Sequence, residues 1–113
     1  MEETNPSVNV LMSKALGLAK LVDYQDGAVV SKTIIKKKTG TVTIFSFAKG
    51  QGLSTHSAPF DALVQILDGE AKITISGKSV TVKKGEIIVM PADRPHALKA
   101  LKPFKMMLVM VKS

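Results

Sequence analysis

The sequence predicts an all-β fold, either a sandwich or a small barrel, and two patterns support this prediction. Apolar and polar residues alternate through most of the chain after residue 28, where a helical period would space the apolar residues three or four apart. Eight or so short segments of this kind follow one another at regular spacing, separated by Gly, Pro or Asp. The length of 113 residues is enough for one core and too short for two, so we expect a single domain.

A helical pattern occurs near the N-terminus. In "SKALGLAKLV", residues 13–22, several apolar side chains can share one side of a helix. Gly17 interrupts this pattern at a cost of about 1 kcal/mol relative to Ala, so we expect a short helical turn. We expect residues 1–12 to be a flexible arm and residues 13–113 to form the domain.

The first predicted hairpin joins "VVSKTII", residues 29–35, to "TVTIFSF", residues 41–47. Between them lies "KKKTG", a polar turn that ends in glycine. In the second strand, period-two alternation places Val42 and Ile44 on one face, and Thr43, Phe45 and Phe47 on the other.

Five further strand patterns fill the rest of the chain. They are "ALVQILDG" (62–69), "EAKITISG" (70–77), "VTVKKGE" (80–86), "EIIVMP" (86–91) and "FKMMLVMV" (104–111). In the first of them, alternation directs Ala62, Val64 and Ile66 inward and leaves Asp61, Leu63 and Gln65 on the outer face. In the second, Ala71, Ile73 and Ile75 are the inward set.

The composition limits the chemistry that this chain can perform. Without cysteine there are no disulfides, thiolate metal ligands or thiol nucleophiles. The net charge of +7 comes mainly from fifteen lysines, with one arginine. Base recognition relies on arginine forks and aromatic stacking, and the chain has one Tyr and no Trp. We therefore do not expect nucleic-acid binding, although the charge favours small anions.

Membrane insertion and secretion are not expected either. The longest uninterrupted apolar run covers residues 106–111, far below the roughly 20 residues that cross a bilayer. The first residues, "MEETNPS", are acidic and polar, unlike the basic start of a secretory signal. We predict a cytoplasmic protein.

Two groups of residues have a regular spacing in the middle of the chain. In the first, Gly50 is followed by five residues and then His56, and Gly69 closes the group. In the second, Gly85 is followed by five residues and Pro91, and four more residues separate Pro91 from His96. Fifteen residues separate Gly69 from Gly85. These spacings resemble the two signature motifs of the cupin superfamily.

The resemblance implies a jelly-roll barrel of about eight or more antiparallel strands. It also implies that His56 and His96 lie close together inside the barrel. Four motif positions differ from the family pattern: Ala58 replaces a histidine, Ala62 a glutamate, Asp93 a glycine and Ala100 an asparagine. Asp93 is compatible with the turn, because Asp tolerates a left-handed backbone.

The two alanines remove half of the family's usual metal ligands. In cupins, two histidines and a glutamate of the first motif and a histidine of the second bind one divalent metal, and only His56 and His96 remain here. Two imidazoles alone are a poor site for Mn, Fe, Ni or Zn, which need a third protein ligand or more. We therefore expect no complete metal centre.

Asp61 is the carboxylate nearest to the lost glutamate position. A shift of the "APFD" loop by one residue would let Asp61 complete a triad of two histidines and one carboxylate. Strand register argues against this, because Asp61 and Ala62 point to opposite faces. Each histidine could also be a core residue whose ring is satisfied by a backbone carbonyl or by water.

Alanine in place of larger ligands leaves space. We predict an apolar pocket lined by His56, Ala58, Ala62, Met90 and His96, together with the inward face formed by Met106, Leu108 and Met110. Methionine adapts to the shape of a ligand, although it also serves as ordinary core packing.

Three functions are consistent with these features. The favoured one is a module that binds a small molecule without a complete metal centre. The alternative is a metal-dependent enzyme of the oxygenase or isomerase type, and the third is a barrel that serves as a scaffold for association. The resemblance further implies a homodimer, with Leu63, Leu67 and the outer face of the last strand supplying apolar side chains.

Overall fold

The computed structural model describes residues 13–112, and within them nine strands form two antiparallel sheets. The strands are β1 Val29–Lys37, β2 Gly40–Phe47, β3 Gly52–His56, β4 Asp61–Asp68, β5 Glu70–Ile75, β6 Lys78–Lys83, β7 Ile87–Met90, β8 His96–Lys99 and β9 Phe104–Val111. One sheet has the order β1-β2-β9-β4-β7 and the other β3-β8-β5-β6. Because the chain crosses repeatedly between the two sheets, this is a jelly roll, and the predicted fold class is confirmed.

The N-terminal part of the described chain packs on the outer face of the five-stranded sheet. It contains the expected short turn, a 3₁₀ helix at Leu18–Lys20 that begins directly after Gly17. The Ser46 hydroxyl of β2 donates a hydrogen bond to the Asp23 carbonyl at 2.8 Å, and Lys105 Nζ of β9 donates one to the Ala19 carbonyl at 2.7 Å. The predicted arm, residues 1–12, lies outside the described residues. None of the helices in the described part of the chain is long and apolar enough to span a membrane.

The core lies between the sheets and contains side chains from both. Its centre is a group of fully buried residues with alternating positions along their strands, namely Phe47, Val64, Ile66, Ala71, Ile73, Phe104 and Met106. Ala62 belongs to the same inner face of β4, while Asp61, Leu63 and Gln65 are exposed or half-buried. The inward and outward sets predicted for β4 are therefore those observed.

Two loop residues have left-handed backbone conformations that their positions require. Gly69 joins β4 to β5 with φ of 69°, and a Cβ there would collide with the Pro103 carbonyl oxygen. Asp93, which occupies a glycine position of the second motif, has φ of 63°. This is the conformation that aspartate tolerates better than most residues with a Cβ.

Candidate functional site

The two histidines face each other across neighbouring strands of the four-stranded sheet. His56 ends β3, His96 begins β8, and the two are partners in the strand register. Side chains of paired residues point to the same side of a sheet, which brings the rings together. Their centroids are 4.4 Å apart, with an angle of 69° between the ring planes. Residues forty positions apart in sequence thus form one pair.

Sequence reasoning did not delimit the two strands that carry these rings. β3 and β8 contain five and four residues, and the pairing between them shifts between Leu53 and His56. Such a shift interrupts the period-two alternation on which strand prediction relies. The spacing of the motifs was the signal that located the histidines.

Both rings have the same tautomer, because a backbone carbonyl accepts a hydrogen bond from each Nδ1. His56 Nδ1 lies 2.7 Å from the Ser54 carbonyl oxygen, and His96 Nδ1 lies 3.1 Å from the Arg94 carbonyl oxygen. A carbonyl oxygen can only accept, so Nδ1 carries the hydrogen in each ring. In the neutral form, Nε2 is then an acceptor with a free lone pair.

Burial makes His96 harder to protonate than an ordinary histidine. Its side chain is buried, whereas His56 is exposed. Desolvation lowers the pKa of His96 below 6.5, the nearby His56 lowers that pKa further, and the hydrogen bond to Arg94 opposes both effects. His96 is therefore uncharged at neutral pH.

An apolar cavity of about 40 Å³ lies beside the two rings. Its wall contains Leu53, His56, Ala58, Phe60, Ala62, Met90, His96, Leu98, Met106, Leu108 and Met110. The five residues predicted for the pocket are all in this wall, as is the predicted face of β9. Leu53, Phe60 and Leu98 were missed. Leu98 could have been found from its position two residues after His96, which places it on the same face of β8.

Ala62 is the residue whose small size leaves this space. It pairs in register with Met90 on one side and Met110 on the other, so a methyl group lies between two long side chains. A water molecule needs roughly 10–15 Å³ by this measure of volume, so the cavity has room for about three or four heavy atoms. Larger ligands require the methionine side chains to rotate, which their unbranched chains allow.

Asp61 has a structural role away from this wall. Its carboxylate accepts a hydrogen bond at 2.9 Å from the Ala92 amide, and the Asp93 amide donates to the Ala58 carbonyl at 2.8 Å. These bonds fix the loop between β7 and β8 to the first residue of β4 and to the loop that precedes it. Within residues 13–112 there is no group of three or more His, Cys, Asp or Glu side chains that could hold a metal ion. The donor set therefore does not fit the divalent metal centre that the family motifs imply.

Comparison with known proteins identifies relatives of the same fold. A family model described as a cupin domain matches residues 43–112. A conserved protein of unknown function from Streptococcus pyogenes is 42% identical over 89% of each chain, with a TM-score of 0.86.

Two further solved structures give the same result. A cupin 2 conserved barrel domain protein from Leptotrichia buccalis is 49% identical over 86% of this chain and 47% of its own, with a TM-score of 0.84. This chain therefore spans about half of that protein. A cupin superfamily protein from Desulfitobacterium hafniense is 28% identical over 89% of this chain and 93% of its own, with a TM-score of 0.85. No curated protein matches the chain.

Proposed function

The chain belongs to the cupin family, and we propose that this cupin binds a small molecule in the cavity beside His56 and His96 without a complete metal centre. The observation that carries the proposal is the position of Ala62, which leaves space between Met90 and Met110 next to the histidine pair. Apolar concave sites with a few polar groups are the usual form of small-molecule pockets.

The metal-dependent alternative, an oxygenase or isomerase type of enzyme, lacks support from the ligand geometry. It needs a third protein ligand, and Asp61 is the carboxylate that the sequence offers. That carboxylate bonds to the Ala92 amide and is absent from the cavity wall. Moving it would break this bond and reverse the register of β4, so the binding function is the better supported one.

The scaffold alternative also accounts poorly for the cavity. Protein interiors are close-packed, and an unfilled space forfeits dispersion contacts along its wall. A barrel that only supported association would gain stability from a larger residue than alanine at position 62. The unfilled space argues for a ligand.

Methyl NMR on protein labelled at methionine tests the proposal. Titration with acetone and acetamide, each of four heavy atoms, should shift the signals of Met90 and Met110 with saturation for at least one of the two compounds. The Met107 signal is the internal reference, because Met107 alternates with Met106 and Leu108 and so faces away from the core. Millimolar affinity is expected for ligands of this size. Uniform or absent shifts with both compounds would contradict the proposal.

A pair of matched variants makes this test specific. Ala62→Leu fills the cavity and should abolish the saturable shifts, whereas Ala97→Leu adds the same volume on the outer face of β8 and should leave them unchanged. Elemental analysis after supplementation with Mn, Fe, Ni and Zn addresses the metal alternative. A stoichiometric metal that is lost in both His56→Ala and His96→Ala would favour the enzyme.

We also propose that the chain forms a homodimer through the outer face of its five-stranded sheet. One apolar residue from each of the five strands lies in a single row across this face, in the order Ile35, Val42, Val109, Leu63 and Val89. With strands about 4.8 Å apart, the row is about 19 Å wide. A flat apolar row is complementary to itself, so a second copy related by a two-fold axis is the partner that fits.

Sedimentation velocity tests the dimer. The chain should sediment at twice its 12.1 kDa mass at micromolar concentration, and Val89→Lys should shift it to the monomer. Val89 is 52% exposed, so the substitution leaves the core intact. Val80→Lys is the matched control, because Val80 is 46% exposed on the other sheet. A monomer at about 100 µM would refute this proposal.

A further inference from the structure

The described side chains of the cavity wall offer a ligand hydrogen-bond acceptors but no donors. Its side chains are those of Leu, Ala, Phe and Met, apart from the two histidines. Among the described side chains of the wall, the ring nitrogens of His56 and His96 are therefore the atoms that can form hydrogen bonds of ordinary strength with a ligand. Among residues 13–112, no Lys, Arg, Ser, Thr or Tyr side chain contributes a donor to this wall.

The Nδ1 atoms of the two histidines already form hydrogen bonds within the protein, so only the Nε2 atoms remain for a ligand. Each Nδ1–H donates to a backbone carbonyl, of Ser54 or of Arg94, and those bonds orient the rings. Across residues 13–112, neither Nε2 has a hydrogen-bond partner in the protein. A neutral imidazole with its hydrogen on Nδ1 accepts at Nε2, so the described side chains of the wall present two acceptors and no donor.

From this arrangement we infer that the cavity selects small uncharged ligands that present N–H or O–H donors, such as a primary amide or an alcohol. The inference rests on the proposed function and names the class of ligand. A ketone or an ether carries acceptors alone, so its oxygen would be buried without a partner. A carboxylate would lose its hydration and meet two lone pairs, in a wall to which the described residues contribute no Lys or Arg side chain.

The charge of the protein does not change this selection. The net charge of +7 attracts anions at long range, but that field is screened within about 10 Å at ordinary salt. A cationic ligand would find acceptors, but the described part of the wall has no carboxylate to compensate for the hydration that the ligand loses. An uncharged donor avoids both costs, and the NH₂ of a primary amide offers two donors to the two Nε2 atoms.

Four molecules of nearly the same shape and size test the inference. Acetamide, 2-propanol, acetone and acetate each have four heavy atoms in a Y-shaped arrangement. Acetamide and 2-propanol present donors, acetone is uncharged without one, and acetate is an anion. The titrations follow the methyl signals of Met90 and Met110 at pH 8, where imidazoles in general are uncharged.

We expect acetamide and 2-propanol to bind at least about tenfold more tightly than acetone and acetate, the usual scale for one satisfied hydrogen bond. If acetone or acetate binds as tightly as acetamide, the inference is wrong and the proposed function stands. If none of the four binds, the proposed function itself is contradicted, and the inference with it.

Removing one acceptor links the selectivity to the histidines. His56→Phe keeps an aromatic ring at an exposed position and should reduce the preference for acetamide over acetone severalfold. His96→Phe is a second variant with the same expectation, and Ala97→Leu on the outer face of β8 is the control that should retain the full preference. Circular dichroism establishes that each variant is folded. A preference that is unchanged in both histidine variants would overturn the inference.

Discussion

The two ends of the barrel interior share strand β9 but differ in how they are filled. At one end, the rings of Phe47 and Phe104 stack with centroids 4.5 Å apart and planes within 12° of parallel, and both are fully buried. At the other end, Ala62 lies between Met90 and Met110, and a cavity remains. Phe104 and Met110 belong to one strand, β9, about 20 Å apart at 3.4 Å per residue.

This difference shows how a short chain can separate stability from binding. Buried aromatic rings remove the largest apolar areas from water, so the filled end supplies much of the driving force for folding. The hollow end, around Ala62, Met90 and Met110, buries less apolar area and so contributes less to stability, but it leaves space beside the histidines. Substitutions at the two ends should therefore have effects of different size and different kind.

The largest effect is expected at the filled end. Phe104→Ala removes a fully buried stacked ring and should lower the free energy of unfolding by about 3–5 kcal/mol in urea denaturation. Phe60→Ala is the matched substitution at the hollow end. Because Phe60 is half-buried and borders the cavity, its loss should cost about 1–2 kcal/mol. Equal losses at the two positions would show that the ends do not differ in packing.

A glycine pair tests the filled end through the backbone. Gly69 passes beside Phe104, and a Cβ there would collide with the Pro103 carbonyl as well as adopt a positive φ. Gly69→Ala should cost more than about 2 kcal/mol, because conformational strain and collision add. A Cβ at Gly85 would have no atom within 4 Å, so Gly85→Ala adds conformational strain without a collision. We expect this substitution to lower the free energy of unfolding by about 1 kcal/mol. Similar costs in thermal denaturation would contradict the close approach at Gly69.

The sequence was sufficient for the fold and for much of the site, and particular residues show why. The alternation of apolar and polar residues in β4 is enough to place Ala62 and Asp61 on opposite faces, because one face of that strand is buried. Motif spacing located both histidines. Leu53 and Phe60 were missed because β3 is short and irregular and Phe60 lies in a loop, where no period applies.

The role of Asp61 shows a limit of a different kind. Its partner is the backbone amide of Ala92, and sequence does not reveal which backbone groups a distant loop leaves unpaired. The hydrogen bonds that fix the two imidazole tautomers involve backbone carbonyls as well. The dimer and the cytoplasmic location remain predictions, because neither follows from the fold of one chain.

The smallest of the three expected effects is the pH dependence of stability that arises from protonation of His96 at the hollow end. The pKa of His96 is lowered in the folded protein, while in the unfolded chain it returns to about 6.5. Between these two values the unfolded chain binds more protons, so the free energy of unfolding should fall as pH decreases below 6.5. Urea denaturation between pH 8 and 5.5, above the range in which most carboxylates titrate, measures this dependence.

Substitution separates the contribution of His96 from the rest of the chain. His96→Phe should abolish this part of the pH dependence. His56→Phe should weaken it, because the charge interaction with His56 contributes to the lowered pKa of His96. An NMR titration should give a midpoint for His96 below 6.5, and a midpoint at or above that value would show that the hollow end is open to water at His96. Phenylalanine has no titratable group. Phe60→Ala and Phe104→Ala should therefore lower the free energy of unfolding by the same amount at every pH and leave its dependence on pH unchanged.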